Sequence, residues 1–258
     1  MALIIAIEDA EDGRLDLYRN VKDRDLTGRD GLFMAEGQVV LERLFASPLC
    51  VTTSVLTTEE RLKNLDIFAL SDDVPIYVVT QSIMDSVAGF AIHRGYLALG
   101  KYAPPQNLTE VITRGRGRIL ALSAIANTDN MGGLMRNAAA FGVDAVLLDA
   151  ACCDPLYRKA IRVSVGGVFQ IPHYRCDDLL ATFAQHGVTP YALSPAGQVT
   201  LDAVVPDARS AFVFGAEGPG LSPDLMAACT SVRIDMHGGF DSLNVATTSG
   251  IVLYHMCR

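Results

Sequence analysis

The segment "FGAEGPGLS" (residues 214–222) places three glycines and one glutamate directly behind the apolar pair Phe212–Val213. Glycines behind a buried strand indicate a loop that turns with positive φ or approaches a ligand closely, because glycine has no Cβ. The carboxylate of Glu217 in such a loop is either a solvated turn residue or a functional group. The loop alone does not decide between the two, so the rest of the chain must.

After residue 118 the sequence alternates between strand-like and helical patterns. Apolar runs typical of strands cover 118–126, 144–149, 188–194, 210–215 and 231–236. Helical patterns cover 131–142, 177–187, the segment after Ser222, and 244–256. Repeated βα units predict an α/β domain with a parallel sheet and helices on both faces. Ligands of such sheets bind at the carboxyl ends of the strands, where the glycine-rich loops lie.

The segment "GKYAPPQNLTEVITRGRGR" (100–118) separates this region from the N-terminal part of the chain. Its paired prolines, polar stretch and arginines are typical of a linker. Upstream, "FMAEGQVVLERLFA" (33–46) has helical periodicity, and 50–56 and 74–80 are β-like. The apolar residues expected on one face of that helix are Val39, Val40, Leu44 and Phe45. We therefore predict a small α/β domain over 1–104, a linker over 105–117 and a second domain over 118–258.

Composition describes a globular chain of 258 residues, half of them hydrophobic and 19% charged. No apolar run reaches the roughly 18 residues of a membrane span, and the opening "MALIIAIEDAEDG" lacks the basic region of a signal peptide, so we expect a cytoplasmic protein. The six cysteines show no CxxC spacing and the five histidines no ligand cluster. Free thiols and no metal site are therefore expected.

The net charge of −8 argues against a broad nucleic-acid-binding surface, since phosphate contacts need clustered Lys and Arg. Two local basic patches remain, "VITRGRGR" (111–118) and "YRKAIR" (157–162). Each is more often a solvated face or a tether than a binding site. The charge distribution therefore permits RNA binding without indicating it.

Three segments at predicted strand ends place polar side chains among glycines. The first, "NTDNMGGLMRNAAAFG" (127–142), contains Asn130 and Arg136, with Asn130 expected to cap a helix. The second is the loop around Glu217. The third, "IDMHGGFDSLNVA" (234–246), carries Ser242, a possible cap of the last helix, and Asn244. Taken singly, each is more often structural; for Arg136 the ordinary role is a surface ion pair.

Together and in this order, the three segments resemble the SpoU family of RNA ribose methyltransferases, the TrmH-like branch of the SPOUT superfamily. The resemblance covers 118–258 strongly and includes "DPLYRKAIRVSVGGVFQIP" (154–172). It extends more weakly to "LFMAEGQVVLERLF" (32–45) and "AIHRGYLAL" (91–99), which resemble the family's substrate-binding domain of ribosomal-protein-L30-like fold.

The resemblance implies a homodimer that methylates a ribose 2′-hydroxyl of rRNA or tRNA, using S-adenosylmethionine bound in a C-terminal domain with a deep trefoil knot. The implied cofactor-binding residues are Leu193, Gly215, Gly218, Ile234, Met236, Ser242 and Leu243. The implied catalytic residues are Arg136, Asn130, Glu217, Ser242 and Asn244, with Glu217 expected to be buried. The implied RNA-binding residues are Arg94, Arg114, Arg116, Arg118 and Arg136. One position departs from the family pattern: Asp235 stands where a proline is usual.

Two other functions fit parts of the pattern. An NAD-dependent oxidoreductase would explain strand–glycine–helix units, but "GAEGPG" is not GxGxxG and no ribose-binding acid lies at the expected distance. A non-catalytic RNA-binding dimer would keep the fold without the chemistry. In the methyltransferase and in the non-catalytic RNA-binding dimer alike, the closing helix is expected to contribute to the dimer interface. Its apolar residues are Val245, Ile251, Val252 and Leu253.

Overall fold

The structure is a computed structural model that describes residues 3–19, 31–67, 70–88, 95–105, 107–238 and 241–257. The chain divides into two compact units. The first contains residues up to Pro104 together with Leu156–Gln170, and the second contains Pro105–Pro155 and Ile171–Arg258. A segment from the middle of the sequence thus belongs to the N-terminal unit, which the sequence patterns did not predict.

The first unit is built on a mixed five-stranded sheet with the order β1-β4-β3-β5-β2. Strands β1, β4 and β3 are parallel, whereas β5 is antiparallel to both β3 and β2. Its strands are β1 (Leu3–Ala6), β2 (Leu32–Glu36), β3 (Cys50–Thr58), β4 (Pro75–Val79) and β5 (Tyr96–Tyr102). Its helices are α1 (Gln38–Phe45), α2 (Glu59–Leu62), α3 (Gln81–Ala88) and α6 (Arg158–Val163), with short 3-10 helices at Gly13–Tyr18 and Gly167–Phe169.

The segment 33–46, predicted as one helix, begins as strand β2 and becomes helical only at Gln38. Gly37 separates the two elements with φ 97°, a conformation that glycine adopts without strain. Val40 is buried in α1 as expected, but Val39 is 52% exposed. The periodicity is therefore genuine over 38–45, and the apolar residues before it belong to the sheet.

Residues 156–170 complete the core of the first unit. The ring of Phe169 stacks on that of Phe33, with centroids 5.1 Å apart, and both side chains are buried. Arg43 donates to the carbonyl of Val165, and Ser47 donates to the carbonyl of Phe169. The segment is thus held by apolar packing and by hydrogen bonds from side chains to its main-chain carbonyls.

The second unit contains a sheet that is parallel, as predicted, but has seven strands where five were expected, in the order β10-β12-β9-β11-β6-β7-β8. Its strands are β6 (Arg118–Leu122), β7 (Ala145–Leu148), β8 (His173–Arg175), β9 (Thr189–Leu193), β10 (Val199–Thr200), β11 (Ser210–Phe214) and β12 (Thr230–Arg233). Its helices are α4 (Leu108–Arg114), α5 (Thr128–Phe141), α7 (Leu179–His186), α8 (Pro223–Ala228) and α9 (Val245–Met256), with a 3-10 helix at Leu201–Ala203.

The predicted linker 105–117 contains helix α4 and lies within the second unit. Leu108 and Ile112 are four residues apart, so they share a helix face, and both pack on the core beneath the sheet. The polar and basic residues that suggested a linker occupy the other faces of the helix and its ends. Composition alone did not separate an amphipathic helix from a tether.

Two helix starts differ from prediction. Asn127, not Asn130, caps α5, because its side chain accepts from the backbone N–H groups of residues 129 and 130. Asn244, not Ser242, caps α9. Gly187 ends α7 in the left-handed conformation, as expected.

Within the described ranges, no helix has the length and apolar character needed to cross a bilayer. All six cysteines are free. No group of three or more His, Cys, Asp or Glu side chains arranged to hold a metal ion occurs among the described residues.

Candidate functional site

A cavity of about 580 Å³ lies at the carboxyl ends of β9, β11 and β12, and we call it the sheet-edge cavity. Its volume falls within the range of about 300–1,000 Å³ typical of small-molecule sites. All seven residues that the sequence analysis assigned to the cofactor line it: Leu193, Gly215, Gly218, Ile234, Met236, Ser242 and Leu243. Further lining comes from Ser194, Pro195, Phe214, Ala216, Glu217, Gly220, Val232, Asp241, Asn244, Val245 and Thr248. Residues more than forty positions apart thus converge on one space.

The glycines of the loop after β11 permit a tight return of the main chain. A Cβ at Gly215 would lie 2.5 Å from the carbonyl carbon of Gly220, so no other residue fits there without moving the loop. Gly218 and Gly220 adopt φ values of 87° and 70°, and the N–H of Gly220 donates to the carbonyl of Ala216 at 3.0 Å. The folded loop forms one wall of the cavity. This answers one part of the question that the segment raises.

Asn244 joins three elements at the edge of the sheet-edge cavity. Its Oδ1 accepts from the N–H groups of Ala246 and Thr247, which caps α9. Its Nδ2 donates to Asn130 Oδ1 on α5 at 2.8 Å and to Glu217 Oε1 on the β11 loop at 3.0 Å. The four hydrogen bonds use the acceptor and both donors of the amide. Asn244 therefore fixes α5, α9 and the glycine-rich loop relative to one another.

Asn130 and Glu217 differ in exposure, although both accept from Asn244. Asn130 is 7% exposed within α5. Glu217 is exposed, contrary to the expectation of a buried position, because the return of the loop carries it past the end of the sheet. Ser242 is also exposed and lines the cavity, with its Oγ 3.5 Å from Asp241 Oδ1. These polar groups leave one side of the cavity open to a large substrate.

Arg136 is exposed on α5, six residues beyond Asn130, and is not among the residues that line the cavity. Its guanidinium forms no hydrogen bond or ion pair with any residue that the structure describes. The ordinary role of a surface ion pair is therefore not observed. The charged guanidinium of Arg136, on the same helix as Asn130, therefore has its donors available to a ligand.

Helices α5 and α9 cross in close contact beside the site. A Cβ at Gly133 would lie 2.6 Å from the Cβ of Ala246, so the crossing requires glycine at this position. Asn137 Nδ2 donates to the carbonyl of Ala246 at 2.7 Å and to Ser249 Oγ at 2.9 Å. Sequence reasoning missed Gly133 and Asn137. A signal was present, since Asn130, Gly133 and Asn137 follow one another at three- and four-residue spacing, about one helical turn apart.

Asp235, where the resemblance led us to expect a proline, holds Arg233 through an Nε–Oδ1 contact of 2.8 Å. The Nη1 of Arg233 donates to the carbonyls of Gly197 at 3.1 Å and Gln198 at 3.0 Å. The segment after β12 is thereby tied to the loop after β9. This ion pair supplies local restraint where the ring of proline is absent, and Arg233 was not identified from the sequence.

Asp149 fixes the neighbouring strand ends. Its carboxylate accepts from Ser123 Oγ at 2.7 Å and from the N–H groups of Ala124 and Cys152, so it joins the ends of β6 and β7. Burial raises the pKa of Asp149, but the hydrogen bonds from Ser123 and from the main chain outweigh burial and hold the pKa below its ordinary value. The carboxylate stays charged and the strand ends stay joined at neutral pH.

The arginines predicted to bind RNA differ in what they contact. The guanidinium of Arg118 donates to the carbonyl of Asp207 at 2.8 Å, and Arg116 donates to the carbonyl of Cys257. The side chain of Arg114 is 81% exposed. Arg94 lies outside the described residues. The Nη2 of Arg114 lies 3.5 Å from Glu110 Oε2 in an exposed ion pair, whereas Arg116 and Arg118 donate to main-chain carbonyls.

Comparisons with known proteins agree with this arrangement. Residues 117–254 match the SpoU rRNA Methylase family. An uncharacterized tRNA/rRNA methyltransferase of Mycobacterium bovis is 35% identical, over 97% of this chain and 90% of the relative. The 23S rRNA (guanosine-2′-O-)-methyltransferase RlmB of Acinetobacter baylyi is 26% identical, over 78% of this chain and 85% of the relative.

A solved structure of similar fold is the rRNA methyltransferase of Sinorhizobium meliloti with AdoMet bound. It superposes with a TM-score of 0.82 at 19% identity, over 98% of this chain and 97% of that chain. At this identity the likeness concerns the fold. The match over more than half of the chain and the M. bovis relative establish the assignment: the chain belongs to the SpoU rRNA methylase family.

Proposed function

We propose that this protein transfers a methyl group from S-adenosylmethionine to a ribose 2′-hydroxyl of rRNA or tRNA. The observation that carries the proposal is the sheet-edge cavity, where all seven expected cofactor residues meet beside the hydrogen bonds from Asn244 to Asn130 and Glu217. The names of the A. baylyi and S. meliloti proteins support the reaction and the cofactor.

The residues present fit the cofactor. Half-buried apolar side chains of Leu193, Ile234 and Met236 offer a surface for a flat base, and the folded β11 loop offers main-chain polar groups. Glu217 supplies a carboxylate on the cavity wall for a cationic ligand. When bound, S-adenosylmethionine supplies an electrophilic methyl group on a sulfonium.

The protein's own part in the reaction is alignment. We assign to Arg136 the binding of an RNA phosphate through two parallel N–H donors, because a planar guanidinium matches phosphate oxygens in this way. An arginine stays protonated in proteins, so Arg136 does not accept the hydroxyl proton. A phosphate oxygen or a water molecule takes that proton instead. Asn130, Ser242 and Asn244 position the ribose and the loops.

Several further properties belong to the same proposal. The protein acts as a homodimer in the cytoplasm, the reaction uses no metal ion, and the second unit contains a trefoil knot. The first unit acts as the RNA-binding domain and contacts RNA through Arg94. Helix α4, which follows it in the sequence, contacts RNA through Arg114. The parallel sheet order of the second unit is compatible with the knot.

Substitution of Arg136 tests the proposal. Arg136→Ala should leave the affinity for S-adenosylmethionine nearly unchanged, since Arg136 does not line the cavity. Methyl transfer should fall at least about a hundredfold, as expected when a group that acts in the transition state is lost. Arg136→Lys keeps the charge without the two-pronged donor set, so it should restore little activity. Turnover close to wild type in both variants would remove Arg136 from the site.

Two measurements address the reaction itself. Titration calorimetry with S-adenosylmethionine and with NAD separates a methyltransferase from an oxidoreductase, and binding of neither would favour the non-catalytic dimer. Mapping of ribose methylation in RNA from cells with and without the gene would identify the RNA and the nucleotide. If every ribose methyl group is still present in the strain without the gene, the proposed activity is contradicted.

A further inference from the structure

The first unit contains a second cavity, of about 360 Å³, at the start of helix α1. We call it the arginine cavity, because Arg61 and Arg162 both line it. Arg61 follows β3, whereas Arg162 comes from the segment 156–170 that joins this unit from the middle of the sequence. Two cations distant in sequence thus share one space, and no carboxylate is among the described residues that line it.

Both guanidinium groups keep donors available to a ligand. The stem of Arg61 packs against Gly95, where a Cβ would lie 3.0 Å from Arg61 Cγ, and its guanidinium has no hydrogen bond or ion pair to any described residue. Arg162 is 48% exposed, and its Nη1 lies 4.0 Å from Glu36 Oε2, too long for a hydrogen bond. Neither guanidinium therefore donates a hydrogen bond to a residue that the structure describes.

The walls of the arginine cavity are held in place. The hydroxyl of Tyr96 donates to the carbonyl of Arg61 at 3.2 Å and restrains the main chain there. Val165 adopts φ 53°, an uncommon conformation for a β-branched residue, and its carbonyl accepts from Arg43. Such backbone strain is concentrated at ligand sites in proteins, where the surrounding structure maintains it. The cavity is thus preformed around its two cations.

We propose that the arginine cavity binds one phosphate group of the RNA backbone. Two guanidinium groups supply planar pairs of N–H donors, the arrangement that suits a phosphate and that costs little reorganisation when it exists beforehand. The assignment rests on the proposed function, since the methyltransferase reaction is what supplies an RNA ligand.

The test measures binding of bulk ribosomal RNA at several salt concentrations for Arg61→Gln, Arg162→Gln and the double variant. Each single variant should weaken binding about tenfold or more, as expected for loss of a charge-assisted hydrogen bond. The slope of log K against log salt should flatten by about 0.7–0.9, the value for one lost phosphate contact. The RNA affinity of the double variant should be only slightly below that of the single variant that binds RNA less tightly, because both residues hold the same phosphate.

Lys63→Gln is the matched control. It removes one positive charge just after α2, its side chain is 72% exposed and it does not line the cavity, so RNA affinity and salt slope should stay as in wild type. Affinity for S-adenosylmethionine, measured on the same samples, should be unchanged in all variants. That reading shows that the second unit folds, and thermal unfolding of each variant checks the first unit.

Three outcomes overturn the inference, and each differs from a failure of the proposed function. Equal losses in Lys63→Gln and the arginine variants would mean that only overall charge matters. A second outcome is that the arginine variants bind RNA as wild type does, while inorganic phosphate raises the unfolding temperature of wild type but not of these variants. That result would make the cavity a site for free phosphate. Unchanged RNA binding without that stabilisation would leave no anion site. If wild type binds neither RNA nor S-adenosylmethionine, the proposed function itself is wrong.

Discussion

At the scale of single residues, Asn244 connects the stability of the site with its geometry. Its side chain caps α9 through Oδ1 and bridges Asn130 and Glu217 through Nδ2. Among the other side chains, only that of glutamine offers the same acceptor and two donors, and its stem is one methylene longer. The cap and the bridge can therefore be separated by substitution.

Asn244→Asp should keep the cap but place a second carboxylate beside Glu217. The donor to Glu217 Oε1 is lost and two like charges face each other, so the variant should be less stable than wild type at pH 7. Acid that neutralises a carboxylate removes this repulsion, so the difference in stability from wild type should shrink as pH falls. Urea unfolding at several pH values measures this.

Two variants frame that measurement. Asn244→Ala loses the cap and should be less stable by about 1 kcal/mol or more at every pH, since no new charge is introduced. Asn127→Asp makes the same change at the cap of α5, where no described carboxylate contacts the side chain of residue 127. Its stability should therefore depend on pH as that of wild type does. An Asn244→Asp protein whose stability does not respond to pH would show that Glu217 does not face Asn244 in solution.

The sequence predicted the members of the site better than their roles. The three motifs identified Asn130, Glu217 and Asn244, and the seven residues expected to bind the cofactor all line one cavity. The capping roles were misassigned because Asn127 and Asn130 both suit an N-cap, and only the tertiary contact with Asn244 distinguishes them. Contacts such as Arg233 with the carbonyl of Gly197 join distant segments and leave no local pattern.

At the scale of elements, the crossing of α5 over α9 positions the site. Gly133 permits the approach to Ala246, and Asn130 lies one turn earlier on the same helix. The strands and helices around this crossing follow from apolar periodicity, so they were predictable. The close approach was not, because periodicity gives the buried face of a helix and not its distance from a neighbour.

Gly133→Ala should separate the two helices, because its Cβ would lie 2.6 Å from that of Ala246. We expect a loss of about 1–3 kcal/mol, typical of overpacking, and weaker methyl transfer as Asn130 moves from Asn244. Gly250→Ala on α9 is the control, since its Cβ would lie 3.4 Å from Asn137, an ordinary contact. Alanine favours helix there by up to about 1 kcal/mol. Equal stability of the two variants by urea unfolding would contradict the role of Gly133.

At the scale of the whole molecule, the outer face of α9 is the surface that we propose for self-association. Val252 and Leu253 are buried within the second unit, whereas Ile251 is 39% and Tyr254 53% exposed. The ring of Tyr254 meets that of Phe141 edge-on, with centroids 6.1 Å apart, so the face is apolar and aromatic. Such a face on a closing helix suits the interface of a symmetric dimer.

Sedimentation at micromolar concentration should show a dimer. The double variant Ile251→Arg with Tyr254→Arg should be monomeric, because it buries two like charges against their copies across a two-fold axis. Val205→Arg places the same charge on a residue that is 86% exposed elsewhere in the second unit, and should stay dimeric. A monomeric wild type, or a double variant that remains a dimer, would exclude α9 from the interface.

The assignment of Leu156–Gln170 to the first unit has a consequence for synthesis on the ribosome. When Pro104 has emerged, Phe33 still lacks the stacking partner Phe169, so the unit has its sheet but an incomplete core. The wait for Gln170 lasts on the order of several seconds at translation rates of about 5–20 residues per second. During that interval the nascent chain exposes apolar surface that chaperones recognise. The N-terminal unit therefore completes its core only after translation is well into its neighbour, and a chain cut at residue 104 lacks the ring that packs on Phe33.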